Sequence, residues 1–184
     1  MYPIRLRGQL VGVRDFRPGD VDDALAIDGD ERVTRWLSFD VRNRIQTLAM
    51  LEGAILRAQA EPRTEYYLAV TDSGDRLVGF VRLALGGVRA AELGYAVHAD
   101  HWGRGYATDA ARTLIDFAFD TLDLHRITAA VGPENAASIA VVRRLGMRYE
   151  GRLRDHVHTN GAWRDSLLYS VLAPEWPTVR PEPG

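Results

Sequence analysis

The sequence predicts one α+β domain that includes an antiparallel meander, and three observations carry that prediction. Short runs of period-two alternation recur between turn residues, and two of the turns, Asp72-Ser73-Gly74-Asp75 and Asn160-Gly161, are strong hairpin signals. The stretch Glu92 to Phe119 starts as a strand, with Leu93, Tyr95 and Val97 alternating with Glu92, Gly94 and Ala96. It finishes as a helix, with Ala107, Ala110, Ala111, Leu114, Ile115 and Ala118 at helical spacing. Finally, 184 residues suit one well-formed core, whereas two domains would both be small. Residues 1–176 therefore read as one domain of about seven strands and about four helices, followed by a proline-rich tail, 177–184.

In chain order, Leu6 to Asp15 reads as a first strand, and Pro18-Gly19-Asp20 opens a helix through Leu25 and Ile27. Asp30 to Asn43 reads as irregular, an aromatic-rich cover carrying Trp36, Leu37 and Phe39. A helix is expected over Arg44 to Ala60, with Ile45, Leu48, Leu51 and Ile55 on its apolar face. Tyr66 to Thr71 and Leu77 to Leu85 form a hairpin, and Gly86-Gly87 turns the chain into the central strand. After the central helix come a strand, Arg126 to Val131, and a short helix, Asn135 to Leu145, stopped at Gly146. Two closing strands, Tyr149 to Thr159 and Trp163 to Leu172, flank Asn160-Gly161.

Composition narrows the function. The net charge of −2 comes from interspersed charges of both signs, which speaks against a nucleic-acid or membrane surface. The chain has no cysteine, so disulfides, thiolate metal sites and a cysteine acyl-enzyme are all excluded. The first residues lack an apolar run of signal-peptide length and no segment approaches a membrane span, so a cytoplasmic location is expected.

The strand-to-helix junction, Trp102-Gly103-Arg104-Gly105-Tyr106-Ala107, carries the chemistry. A helix start leaves backbone N–H groups unpaired and partly positive, and glycine removes the side chains that would keep a phosphate from them. A nucleotide P-loop would end in Gly-Lys-Ser/Thr, which is absent. A Rossmann fingerprint would need a third small residue at Thr108 and an acid ending the next strand, but Asp123 precedes that strand. The junction resembles the phosphate loop of the GNAT acetyltransferases, Gln/Arg-x-x-Gly-x-Gly/Ala, matched by Gly105 and Ala107, with Trp102 departing at the first position. GPENAASIAVVRRLGMRYEGRL resembles a second GNAT segment, and the closing stretch is similar to the RimJ/RimL branch, so the likeness spans roughly residues 10 to 176.

The resemblance implies one mixed, mostly antiparallel central sheet whose two central strands run parallel and splay apart, with acetyl-CoA in the gap. On that basis Tyr95, Ala96 and Val97 hold the pantetheine and acetyl group, Gly103, Arg104, Gly105, Tyr106, Ala107 and Thr108 cradle the pyrophosphate, and Asn135 reaches the cofactor's far side. It implies direct attack by an amine (a protein N-terminus, an antibiotic amine or a polyamine), with a backbone N–H near Val97 polarising the thioester.

Glu92 stands where several relatives place a catalytic glutamate, and Gly94 and Ala96 leave room beside it; a solvated or ion-paired residue is the other reading. Val142 and Ala130 occupy positions where relatives carry a tyrosine acid and a second base. Ser138 remains as the candidate acid, or as a serine in a helix's first turn. His156 and His158 share a strand spacing that can hold metal, but no third ligand accompanies them, and no metal is expected. Asp155 or His156 could instead touch the acceptor, His98 and His101 flank the cradle, and His125 reads as a turn residue. The expected partners are acetyl-CoA and an amine. A homodimer, a longer donor such as succinyl-CoA, and a non-catalytic acyl-CoA-binding module all stay open.

Overall fold

The computed structural model describes residues 1–177. The expected tail, 177–184, falls outside that range except for Pro177.

Among the described residues, eight strands form one sheet: β1 (Arg5–Arg7), β2 (Gly12–Asp15), β3 (Glu65–Thr71), β4 (Leu77–Leu85), β5 (Ala90–Val97), β6 (Arg126–Val131), β7 (Arg148–Thr159) and β8 (Ala162–Leu172). Their spatial order is β1-β2-β3-β4-β5-β6-β8-β7. Every neighbouring pair is antiparallel except β5 and β6. Five α-helices cover the sheet: α1 (Val21–Asp28), α2 (Glu31–Thr34), α3 (Arg44–Ala58), α4 (Tyr106–Asp120) and α5 (Ala136–Arg144).

Alternation along the strands sorts the core into two layers. Ala91 and Leu93 of β5, Ile127, Ala129 and Val131 of β6, and Tyr169 and Val171 of β8 pack with Ala111, Leu114 and Ile115 of α4 and Val142 of α5. On the opposite face, Ala96, Phe80 and Ala69 pack with Ala24 and Ile27 of α1 and Leu51 and Ala54 of α3. Beyond β8, Trp176 is buried, and its indole N–H donates to Asp116 Oδ1 at 2.6 Å.

Three expectations need correction. The single strand over Leu6 to Asp15 is two strands, because Gly8 turns the chain so tightly that its N–H meets the Val11 carbonyl at 2.9 Å. Only glycine fits at that position: a Cβ there would stand 2.3 Å from Asp109 Oδ2. The segment expected to be irregular contains α2, whose first turn is capped by Asp30 accepting the Arg32 N–H.

The helix over Arg44 ends at Ala58, and its buried stripe is Thr47, Leu51, Ala54 and Ala58. Ile45 is 80% exposed and Leu48 40% exposed. Small side chains on that stripe let α3 lie close to α1 and β3, which turns the bulkier Ile45 and Leu48 outward.

Candidate active site: a splayed strand pair and an uncapped helix

β5 and β6 pair only at Ala90↔Arg126, Ala91↔Ile127 and Glu92↔Thr128. Beyond Glu92 each strand keeps only its outer neighbour, β4 as far as Gly79↔Val97 and β8 as far as Val131↔Leu167. The inner edges of Leu93–Val97 and Ala129–Val131 therefore face a widening gap, where backbone groups lose their ladder partners.

The His98 N–H donates outward to the Val78 carbonyl at 2.9 Å, so by alternation Val97 turns its N–H and carbonyl into the gap. That carbonyl accepts the indole N–H of Trp102 at 2.8 Å. Trp102, the residue that departs from the phosphate-loop pattern, thus ties the loop to the strand it leaves. Its contact depends on a five-residue return of the chain that no periodicity reveals.

The junction lies at the mouth of this gap. Gly103 and Gly105 both have left-handed φ, 76° and 81°. Gly105 is the N-cap of α4, and no side chain caps the helix. By contrast, Asn43 caps α3 and Asn135 caps α5 through side-chain oxygens. The first-turn N–H groups of α4 are left for an external acceptor, and the space over Gly103 is open, since a Cβ there meets nothing within 4 Å. Gly103, Arg104 and Gly105 are exposed, while Tyr106, Ala107 and Thr108 are half-buried. The donor set therefore fits a diphosphate.

An acid in that first turn would oppose an anion, yet Asp109 is there. Its carboxylate is spent elsewhere, accepting the N–H groups of Gln9 (3.1 Å), Leu10 (2.7 Å) and Val11 (3.0 Å) from the β1–β2 turn. His101 stacks on Tyr106 with ring centroids 5.9 Å apart. Burial, then Arg104 and His98, hold its imidazole below the usual range and favour the neutral ring.

Tyr95 crosses from β5 to α5, its hydroxyl donating to the Ser138 carbonyl at 3.2 Å, and burial pushes the phenol up to about 12. Asn135 Oδ1 accepts the Ser138 N–H at 3.0 Å, so Asn135 holds the cap and the Ser138 hydroxyl takes no part in it. Glu92 is exposed at the last paired position of the parallel ladder and forms no ion pair among the described residues. Tyr95, Ala96, Val97, Ser138 and Asn135 thus gather around the gap, the residues from Gly103 to Thr108 line its mouth, and Glu92 sits at its closed end.

The aromatic loop and the closing hairpin are joined to each other by a second set of contacts. Arg42 closes the base of the loop, its N–H on the Asp28 carbonyl and its Nη1 on Asp28 Oδ2, both at 3.0 Å. Arg164 of β8 donates through Nη1 and Nη2 to the carbonyls of Arg35 (2.6 Å) and Leu37 (2.5 Å), and the Asn160 N–H meets Asp40 Oδ1 at 2.8 Å. In β7, Arg154, Asp155 and His156 bulge opposite the single residue Asp165, and Asp155 adopts φ 47°. His156 Nδ1 lies 3.0 Å from Ser166 Oγ, whereas the His158 ring packs on Trp163, so the two histidines engage different partners. No group of three or more His, Cys, Asp or Glu among the described residues could hold a metal ion. Nor is any described helix long and apolar enough to cross a membrane.

Comparison with known proteins agrees with this architecture. Residues 11–148 match the family model for the acetyltransferase (GNAT) domain. The "Probable N-acetyltransferase YjcK" of Bacillus subtilis is 32% identical over 179 residues, covering 92% of this chain and 98% of that protein. The Escherichia coli "[Ribosomal protein uS5]-alanine N-acetyltransferase" is 29% identical over 115 residues, 60% of this chain and 59% of its own. A structure of Mycobacterium smegmatis RimJ in complex with CoA-disulfide superimposes with a TM-score of 0.81 at 30% identity, covering 96% of this chain and 89% of that one. The chain belongs to the GNAT family, as an N-acetyltransferase with RimJ-like relatives.

Proposed function

We propose that this enzyme transfers the acetyl group of acetyl-CoA to a primary amine by direct attack in a ternary complex. The observation that carries the reading is the pairing of a widening strand gap with the uncapped, glycine-opened start of α4. The pantetheine arm lies along the inner edge of Tyr95, Ala96 and Val97, and the pyrophosphate rests on backbone N–H groups from Gly103 to Thr108, with Arg104 adding positive charge. The Val97 N–H, turned into the gap, polarises the thioester carbonyl. Ser138, free of capping duty, supplies a proton to the departing sulfur. Asn135 contributes by fixing the first turn of α5 beside the gap. Glu92, exposed and without an ion-pair partner among the described residues, draws a cationic amine into the gap and is one of two residues able to receive its proton.

A protein N-terminus is the favoured acceptor, in keeping with the RimJ-like relatives and the Escherichia coli ribosomal-protein acetyltransferase. Small amines are the comparison set. The test has two arms. Titration with acetyl-CoA should give saturable binding, and a panel of free-N-terminal peptides and small amines should release free CoA thiol. Binding without release from any amine would mark a non-catalytic acyl-CoA module.

The cradle is tested at Gly105. Its φ of 81° makes any side chain strained, and a Cβ would sit 3.3 Å from Leu10 Cδ1, so Gly105→Ala measures that strain alone. Gly105→Glu adds a carboxylate where the diphosphate belongs. The expected result is a modest loss of acetyl-CoA affinity for the alanine variant and at least about a hundredfold loss for glutamate, of the order of two close like charges in a partly shielded site. Equal affinities for the two variants would move the diphosphate elsewhere.

A further inference from the structure

The second proton acceptor emerges from strand register. In the parallel ladder β6 runs beside β5 with Glu92 opposite Thr128; in the antiparallel ladder it runs beside β8 with Val131 opposite Leu167. Carried one residue past the end of β6, both ladders bring Gly132 level with Ala96 on one side and Ser166 on the other. By this count of register, Ser166 falls beyond the end of β6, on the far side of the gap from Ala96. Glu92 is four residues nearer the closed end, roughly 13 Å along the strand at about 3.3 Å per residue.

Ser166 also lies on the sheet face away from α4. Tyr169 and Val171 belong to the core under α4, and Leu167 packs against it, so alternation sends Ser166 to the opposite face with Ala96. Ser166 is 4% exposed, and its hydroxyl lies 3.0 Å from Nδ1 of exposed His156. The bulge that places His156 there is pinned, because Asp165 Oδ1 accepts the Asp155 N–H at 2.9 Å and Asp165 Oδ2 accepts Arg152 Nε at 2.6 Å. The resulting cleft, about 810 Å³, is lined by His156 with Arg152, Leu153, Arg154, Asp155 and Asp165. Bulges of this kind re-aim a side chain beside a site.

We propose that His156, oriented by Ser166, is the general base that receives the proton of the attacking amine. The inference rests on the functional reading above. With Nδ1–H donating to Ser166 Oγ, Nε2 keeps its lone pair toward the cleft. The neutral amine forms the N–C bond to the acetyl carbon, and the C–S bond breaks with its electron pair leaving on sulfur. The surplus proton on nitrogen passes to His156 Nε2. Ser138 gives its proton to the departing sulfur, so the products are the amide, the CoA thiol and an imidazolium, and the imidazolium's release of its proton restores the Ser138 hydroxyl. Ser166 is a positioning residue, and Glu92 acts by charge.

The test uses the full chain, acetyl-CoA and the best amine from the panel. His156→Gln should lower kcat by about 10² or more, the usual scale for losing a general base, with acetyl-CoA affinity unchanged. His156→Ala should regain turnover when imidazole is added, which a purely structural role would not produce. Ser166→Ala should lower kcat several-fold without changing the KM for acetyl-CoA, and Glu92→Gln should chiefly raise the KM for the amine. His156→Gln within threefold of the parent, or no imidazole rescue, would overturn the assignment, and in the first case a hundredfold loss in Glu92→Gln would return the base to Glu92. A parent that binds acetyl-CoA but turns over no amine would overturn the functional reading itself and this inference with it.

Discussion

Ser138 shows how much one residue's role depends on its neighbour three positions away. Sequence offers two hydroxyl or amide groups, Asn135 and Ser138, either able to serve the start of α5, and only backbone geometry assigns the cap to Asn135. Asn135→Ala should therefore cost about 1 kcal/mol, seen as a lower thermal midpoint. Ser138→Ala should leave the midpoint near the parental value yet slow turnover, and Ser138→Asp, which has no proton to give when ionised, should slow it as well. Parental turnover in Ser138→Ala at unchanged acetyl-CoA affinity would take the hydroxyl out of the chemistry. The same limit hid the Ser166–His156 pair and the Trp102 contact. Alternation assigns faces only while the register holds, and the β7 bulge sets three residues against one.

At the scale of elements, strands and turns were legible where chemistry is local. Asn160-Gly161 makes the expected hairpin turn, with φ 52° and 72° at the two residues. The α3 face was less legible, since Ile45 and Leu48 satisfy helical periodicity but the close approach to α1 selects smaller residues. The first strand was misread because Leu10, Val11 and Val13 look continuous until Asp109 draws three successive N–H groups into a turn.

Tertiary bonds also hold the proposed acceptor wall, where Arg164 joins the hairpin to the aromatic loop through two backbone carbonyls. Arg164→Gln removes that two-pronged hold. The expected outcome is a several-fold higher KM for the amine, with acetyl-CoA affinity intact and faster hydrogen exchange over residues 35–37. Unchanged exchange there would show that the loop is held by its base at Asp28 and Arg42 alone.

For the whole molecule, the fold class and the uncapped start of α4 were readable because a glycine-opened helix after a strand is a compact local signal. The splay was not readable from periodicity, since it is a long-range failure of pairing, and it entered only through family likeness.

At the closed end of the splay, a charged pair also bridges three strands. Arg126 Nη1 meets Glu150 Oε1 at 2.9 Å, its Nη2 pairs with Oε2, and the Ser170 hydroxyl donates to Oε1 at 2.6 Å, which ties β6, β7 and β8 together. Arg126 first, and Ser170 next, hold the Glu150 carboxyl down at about 2, from an ordinary 4.5. A depressed carboxylate contributes stability that is fully present above its unfolded value and is lost as pH falls through its folded one. Glu150→Gln should thus lower the thermal midpoint at pH 7, and the gap to the parent should close between about pH 4.5 and 2. A constant gap across that window would show that the carboxylate's charge is not what the sheet uses.

The grip of Asp109 on the β1–β2 turn has a consequence for assembly. The bonded residues are 98 to 100 positions apart, so the contact closes only when more than half of the chain has come together. Until then the acid is a loose negative charge in the first turn of α4, the worst place for one if a diphosphate is to settle there. Once the turn docks, its three N–H groups absorb that charge and the helix start becomes hospitable to an anion. The proposed donor site is in this sense a late product of folding, and a chain lacking its first dozen residues should carry every residue of the proposed cradle and still repel a diphosphate.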